Sequence, residues 1–124
     1  MPTLLIVEDE LEFSDPVQKH FETCGIEVYA AATGEKGLEL FFSKNPAVVL
    51  LDLRLEGGMS GIEFLRRVHA KNTSAQIIVV SAIDDQNMME MAKGLGAVEY
   101  IHKPFSLLAL EKLVLSRLKR TEEQ

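Results

Sequence analysis

Cysteine is almost absent from this sequence, since Cys24 is the single one among 124 residues. A single thiol cannot form an internal disulfide, so we interpret Cys24 as a small packing or partly exposed residue. The sequence also lacks an apolar run near the roughly 20 residues that span a bilayer, and it lacks a basic-then-apolar leader. These absences predict a cytoplasmic protein without a membrane segment.

Positive charge is in deficit as well. The chain has 13 Lys and Arg residues against 19 Asp and Glu residues, a formal net charge of −6. An excess of negative charge repels nucleic-acid phosphates and anionic lipid headgroups, so we expect no direct binding of nucleic acid or of a membrane surface. The length suits one domain, which we place at residues 1–120, followed by a polar tail over residues 121–124.

Five short apolar runs recur along the chain. Their starts are separated by 22, 22, 29 and 21 residues, which leaves room for a helix between successive runs. Three runs are apolar at consecutive positions, as in strands that are covered on both faces. The pattern predicts an α/β domain in which a parallel sheet carries helices on both sides. The runs occupy residues 4–7, 26–30, 48–51, 77–80 and 98–101.

The intervening segments have apolar residues at helical spacing and residues that favour helix ends. Thr33 and Ser106 are typical N-cap residues at the starts of the second and fifth segments. Pro16 falls inside the first segment. Because proline is tolerated in a first helical turn but costs about 3 kcal/mol further in, we predict that this helix begins near Ser14 or Asp15.

Carboxylates follow two of the apolar runs at the point where each run ends. Glu8, Asp9 and Glu10 come after the first run, and Asp52 ends the third. In parallel sheets, ligands bind outside the C-terminal ends of the strands, so we expect these acids to share one edge. Crowded carboxylates repel one another unless a cation joins them, and Mg²⁺ prefers such oxygen ligands.

Two further polar side chains follow the fourth and fifth runs. They are Ser81, in "VVSA", and Lys103, in "HKPF". A carboxylate can be the nucleophile that forms an aspartyl-phosphate, while an ammonium group and Mg²⁺ neutralise the transferred oxygens and a hydroxyl bonds one of them. The set therefore offers a carboxylate nucleophile, a metal site, a cationic group and a hydroxyl, which together suit phosphoryl transfer to a carboxylate. His20 and His69 lack partner ligands at zinc-like spacing, so no zinc site is predicted.

The segments "LLIVEDE", "VVLLDLRL", "VVSA" and "YIHKPF", in this order and spacing, resemble the receiver domains of two-component response regulators. The resemblance covers essentially the whole chain and implies a flavodoxin-like (βα)5 domain with strand order 2-1-3-4-5. It implies that Asp52 is the phosphoacceptor. It also implies that Ser81 and Lys103 are catalytic contacts of the phosphoryl group, with a cis peptide bond between Lys103 and Pro104.

The resemblance also implies a site for Mg²⁺ or Mn²⁺. Its ligands would be Glu8, Asp9, Asp52 and the backbone carbonyl of Arg54. The chain departs from the family here, because Glu56 stands where receivers usually have proline and the loop over residues 53–60 is one residue longer than expected. We therefore expect a looser loop, which would weaken the metal contact through the Arg54 carbonyl.

Ser81 and Tyr100 match the family's switch positions. In the family, phosphorylation acts through them on the face formed by helix four, strand five and helix five. The donor would be a sensor histidine kinase or a phosphotransfer protein. The reader would be a downstream effector protein or an output domain C-terminal to this chain, and a phosphorylation-dependent dimer is compatible with the family. Such a protein is no enzyme beyond catalysing its own phosphorylation and dephosphorylation.

Three other interpretations stay open from the residues. A Mg²⁺-dependent phosphatase or phosphotransferase could use the same acids, but enzymes of the haloacid-dehalogenase type carry a second acid where this chain has Arg54. A pseudo-receiver that binds partners without phosphorylation is disfavoured by the intact acidic, serine and lysine set. A mononucleotide-binding fold is the weakest, because no glycine-rich phosphate loop follows the first run.

Overall fold

The computed structural model describes residues 2–71 and 73–122, in which five strands alternate with five helices. Each strand agrees with its predicted apolar run to within one residue at either end. The strands are β1 (Thr3–Val7), β2 (Glu27–Ala31), β3 (Val48–Leu51), β4 (Gln76–Ser81) and β5 (Ala97–His102). The helices are α1 (Leu11–Thr23), α2 (Gly34–Lys44), α3 (Gly61–Ala70), α4 (Gln86–Gly94) and α5 (Leu107–Glu122).

All five strands pair in parallel, in the order β2-β1-β3-β4-β5. This confirms the predicted α/β fold and its strand order. β3 lies at the centre and is buried at every position, whereas the edge strands β2 and β5 are partly exposed. Consecutive apolar residues in β1, β3 and β4 are explained by this arrangement, because both faces of the central strands are covered.

The sheet separates two apolar cores. Side chains of successive strand residues point to opposite faces, so Leu5 contributes to one core and Ile6 to the other. The core on the side of α2, α3 and α4 contains Phe64, and the core on the side of α1 and α5 contains Phe21 and Leu110. With both faces covered, the exposed C-terminal edge of the sheet is left for polar side chains.

The first helix begins earlier than predicted. α1 begins at Leu11 rather than near Ser14, so Pro16 lies in its second turn, and the prediction was wrong. The carbonyl of Glu10 accepts hydrogen bonds of 3.0 Å from the amides of Phe13 and Ser14, so helical bonding begins directly after the acidic loop. The short connection from β1 therefore sets the start of the helix, and Pro16 removes one bond from its ladder.

The predicted N-caps of α2 and α5 are confirmed. Thr33 Oγ1 accepts a hydrogen bond of 3.1 Å from the Lys36 amide, and Ser106 Oγ accepts one of 3.3 Å from the Ala109 amide. The polar tail predicted over residues 121–124 begins inside α5, and residues 123 and 124 lie outside the described residues. Across residues 2–71 and 73–122, no helix is both long enough and apolar enough to cross a membrane.

Candidate functional site

The C-terminal edge of the sheet gathers the polar residues at the ends of three adjacent strands. Glu8 comes directly after β1, Asp52 comes directly after β3, and Ser81 ends β4. Their side chains are withdrawn from water, because the three residues are 3%, 5% and 0% exposed, respectively. Two carboxylates so poorly hydrated need a positive partner, which the loop after β5 supplies.

Lys103 is that partner. Its Nζ lies 2.5 Å from Glu8 Oε1, 3.2 Å from Asp52 Oδ2 and 3.5 Å from Glu10 Oε1. Burial opposes the charged ammonium group, but the hydrogen bond to Glu8 and the charge of Asp52 outweigh it and raise the pKa of Lys103. The peptide bond between Lys103 and Pro104 is cis, in agreement with the expectation from sequence. Lys103 thus joins β1, β3 and β5 at one charged centre.

Glu8 carries a strongly perturbed carboxyl group. Burial raises its pKa to about 7, and the Asp52 carboxylate adds to the shift, while the hydrogen bond from Lys103 opposes it. One ammonium group therefore does not fully compensate two buried carboxylates, and without a further cation Glu8 holds a proton up to near-neutral pH.

This pKa predicts that stability falls as pH rises. Between pH of about 4.5 and 7, folded Glu8 keeps a proton that the unfolded chain releases, so the folded state binds more protons and loses stability with increasing pH. The difference corresponds to roughly 3 kcal/mol at most. Urea unfolding across this range, without divalent cations, measures the loss. Glu8→Gln keeps the side-chain shape without the titration, and an equally steep loss in that variant would contradict the assignment.

Two backbone amides of the loop after β3 donate hydrogen bonds to carboxylates of the site. The Arg54 amide donates a hydrogen bond of 3.0 Å to Asp52 Oδ1, and the Glu56 amide donates one of 3.1 Å to Asp9 Oδ2. Proline, which receivers usually have at the position of Glu56, has no N–H to donate. The departure from the family pattern therefore gives the loop over residues 53–60 a hydrogen bond to Asp9 that a proline could not donate.

The acidic residues of the edge form an all-oxygen donor set. One carboxylate oxygen from each of four residues lies within 4.8 Å of the others, and these residues are Glu8, Asp9, Glu10 and Asp52. Oxygen donors at this density fit a hard divalent cation such as Mg²⁺ or Mn²⁺. Burial, with the nearby charge of Asp52, raises the pKa of Glu8, and a bound cation would favour its charged form instead.

Ile83 connects the buried serine to the predicted switch aromatic. Its amide donates a hydrogen bond of 3.3 Å to Ser81 Oγ, and its carbonyl accepts one of 2.9 Å from the Tyr100 hydroxyl. Tyr100 is half-buried, and this burial, with the negative charge of Asp52, raises its pKa. One residue thus contacts both Ser81, at the end of β4, and Tyr100, on β5.

Sequence reasoning missed the backbone contacts of Ile83, and it missed Phe13 as a part of the site. Ile83 stands two residues after Ser81, a spacing at which a serine side chain commonly bonds the backbone, so this contact could have been found. The centroid of the Phe13 ring lies 4.3 Å from Lys103 Nζ. Its contact joins α1 to the loop after β5, and no local pattern reports such a distant neighbour.

Sequence comparisons find proteins that are related to this chain. A model of the response regulator receiver domain family matches residues 4–115. "Sporulation initiation phosphotransferase F" of Bacillus subtilis is 31% identical over 104 residues, which cover 84% of this chain and 83% of that protein. "Cyclic di-GMP phosphodiesterase" of Thermotoga maritima is 37% identical over 117 residues, which cover 94% of this chain and 31% of that protein.

A solved structure extends the comparison to the fold. The crystal structure of a response regulator receiver domain protein (CheY-like) from Methanospirillum hungatei superposes with a TM-score of 0.93 at 27% sequence identity. The match covers 99% of this chain and 98% of that one, so the likeness includes all five strands and all five helices of the fold.

Proposed function

Because this chain belongs to the response regulator receiver domain family, we propose that it is a phosphorylation-dependent signalling switch and that Asp52 accepts the phosphoryl group. The contact of the Lys103 ammonium group with both buried carboxylates, Glu8 and Asp52, carries the proposal. The donor is a sensor histidine kinase or a phosphotransfer protein in the cytoplasm. The unit is a single domain over residues 1–120, which turns over no small-molecule substrate.

The proposed reaction transfers phosphorus from a phosphohistidine to Asp52. A carboxylate oxygen attacks the phosphorus, an O–P bond forms as the P–N bond breaks, and the leaving imidazole keeps the electron pair. Hydrogen bonds from the Arg54 amide and the Lys103 ammonium group hold the carboxylate in place. Lys103 then balances the negative charge on the transferred oxygens. The Ser81 hydroxyl oxygen accepts a hydrogen bond from the Ile83 amide, and its hydrogen can be donated to a phosphoryl oxygen.

We propose Glu8, Asp9 and Asp52 as the side-chain ligands of Mg²⁺ or Mn²⁺, with the backbone carbonyl of Arg54 as a further ligand. The crowded carboxylate oxygens and the raised pKa of Glu8 support this assignment. When bound, the cation neutralises charge on the phosphoryl oxygens during transfer. The residues release the proton of Glu8 as they take up the cation, so binding is expected to strengthen as pH rises through about 7.

The proposed output surface consists of α4, β5 and α5. A shift of Ser81 toward a phosphoryl oxygen would move the Ile83 backbone, and the Tyr100 hydroxyl donates its hydrogen bond to the carbonyl of that residue. Tyr100 also lines a groove of about 380 Å³ between α4 and β5, together with Met89 and Lys93. A reader protein bound in this groove would therefore contact the residue whose position depends on Ser81.

The donor is proposed to approach over α1. An apolar groove of about 500 Å³ opens beside Lys103, and Phe13, Pro16, Phe105 and Leu107 line it. A protein that presents a phosphohistidine to Asp52 has to cover this rim of the site. Burying the apolar groove would stabilise that complex and orient the donor.

Acetyl phosphate tests the function without a kinase. With Mg²⁺ present, we expect intact-protein mass spectrometry to show the gain of one phosphoryl group per chain. EDTA should prevent the gain, and Mn²⁺ should restore it. A phosphatase would instead release phosphate over many turnovers without a lasting adduct, and a pseudo-receiver would do neither, so each of those results contradicts the proposal.

A further inference from the structure

A second cluster of ligand-type side chains lies where the end of α1 meets α5. His20 Nε2 lies 2.6 Å from Glu111 Oε1, and the Cys24 thiol donates to the same oxygen over 3.7 Å. His20 and Cys24 are four residues apart and so project on one side of α1, while Glu111 comes from α5. Sequence spacing gave no sign of this neighbour of His20, because Glu111 lies 91 residues along the chain.

We propose that His20, Cys24 and Glu111 form a binding site for a divalent transition metal ion of the Zn²⁺ type. Nitrogen, thiolate sulfur and carboxylate oxygen are all established zinc ligands, and three of them leave a fourth position for water. A neutral imidazole, a thiolate and a carboxylate together carry two negative charges, which a dication balances. The sulfur ligand distinguishes this site from the all-oxygen acidic cluster at Asp52, which suits harder ions.

The spacing of the donor atoms is close to what such an ion requires. Tetrahedral zinc, with bonds of about 2.0 Å to nitrogen and oxygen and 2.3 Å to sulfur, separates its ligand atoms by about 3.3–3.5 Å. The donor atoms of the cluster all lie within 4.8 Å of one another. The close pair, His20 and Glu111, has to open by less than about 1 Å. Their side chains are 29% and 24% exposed, so they have room to rotate.

The electrostatic setting also favours a cation. Cys24 is the C-cap residue of α1, and a helix C-terminus carries partial negative charge. Without a metal, desolvation and the Glu111 carboxylate raise the pKa of the Cys24 thiol, because a thiolate there would meet a like charge. An ion between the two groups turns this repulsion into shared attraction. It would also tie α1 to α5, a helix of the proposed output surface.

Cobalt(II) tests the site, with Mg²⁺ in excess to occupy the acidic cluster and a non-thiol reductant to keep the thiol free. Because Cys24 is the single cysteine of the chain, a thiolate-to-cobalt charge-transfer band reports this site alone. We expect one Co²⁺ per chain, displaced by Zn²⁺. His20→Ala and Glu111→Gln should each weaken binding by about 100-fold or more. His69→Ala, which removes an exposed histidine on α3, should bind as the wild type does.

Absence of the band at millimolar cobalt would overturn the proposal, as would unchanged affinity in both His20→Ala and Glu111→Gln. If either variant fails to fold, the effect of Zn²⁺ on the melting temperature tests the site instead. Zn²⁺ should raise the melting temperature of the wild type more than that of Cys24→Ser, and equal shifts would overturn the site. Cys24→Ser should still gain a phosphoryl group from acetyl phosphate, so failure of the metal site can be distinguished from failure of the proposed function.

Discussion

Asparagine in place of Asp52 should abolish phosphoryl transfer from acetyl phosphate. The amide is neutral, and its oxygen is a far weaker nucleophile than a carboxylate oxygen, so no O–P bond forms here at a measurable rate. Loss of a nucleophile costs at least about 10⁴-fold in rate, which leaves no detectable adduct. Intact-protein mass spectrometry under conditions that saturate the wild type measures the loss.

The same substitution should leave the fold intact and make it more stable. It removes one of two buried carboxylates, and Lys103 keeps its contact with Glu8. Asp84→Asn makes the same chemical change at an exposed position in the loop before α4 and should be phosphorylated normally. A phosphoryl group on Asp52→Asn, located by peptide mapping on another residue such as Asp9, would contradict the assignment of the acceptor.

Alanine in place of Gly61 should destabilise the fold by about 3 kcal/mol or more. A Cβ atom at Gly61 would lie 2.3 Å from the Asp52 carbonyl oxygen and 2.4 Å from Leu53 Cα. Both are backbone atoms, which cannot rotate away as a side chain can. The Gly61 amide also donates a hydrogen bond of 3.0 Å to the Leu53 carbonyl, so the start of α3 is held against the end of β3. Urea unfolding measures the loss.

Gly94→Ala is the matched control for this change. Gly94 ends α4, and a Cβ atom there would meet nothing within 4 Å. Alanine restricts the unfolded chain and favours helix, so we expect stability to be unchanged or raised by up to about 1 kcal/mol. If Gly61→Ala unfolds at the same urea concentration as the wild type, the close approach beside Asp52 does not constrain the fold.

The sequence predicted the sheet well because its signal is local. Consecutive apolar residues in β1 and β3 report burial on both faces, and that burial requires a parallel sheet with helices on either side. The acidic edge was predicted from the same runs, since parallel strands place the residues at their C-terminal ends along one edge of the sheet. The start of α1 differs from the prediction because the helix preference of proline is a local signal. The short connection after β1 instead places the Glu10 carbonyl where it accepts the first hydrogen bonds of the helix.

Contacts between distant segments could not be found in this way. Lys103 meets Glu8 across 95 residues. The end of the fifth apolar run placed Lys103 near the acidic edge, but no run indicated which carboxylate it contacts. Glu111 contacts His20 across 91 residues, and no sequence motif predicts that contact. Such contacts depend on how helices pack across the sheet, whereas a window of sequence reports only whether each helix has an apolar face.

The contacts of Ile83 with Ser81 and Tyr100 are made by its peptide N–H and C=O groups, not by its side chain. Nearly any amino acid other than proline could supply the same two groups. Only the packing of the Ile83 side chain against the apolar core therefore limits which residue can stand at position 83, and the two hydrogen bonds do not. A comparison of homologous sequences would report that packing and not the proposed connection from Asp52 to Tyr100.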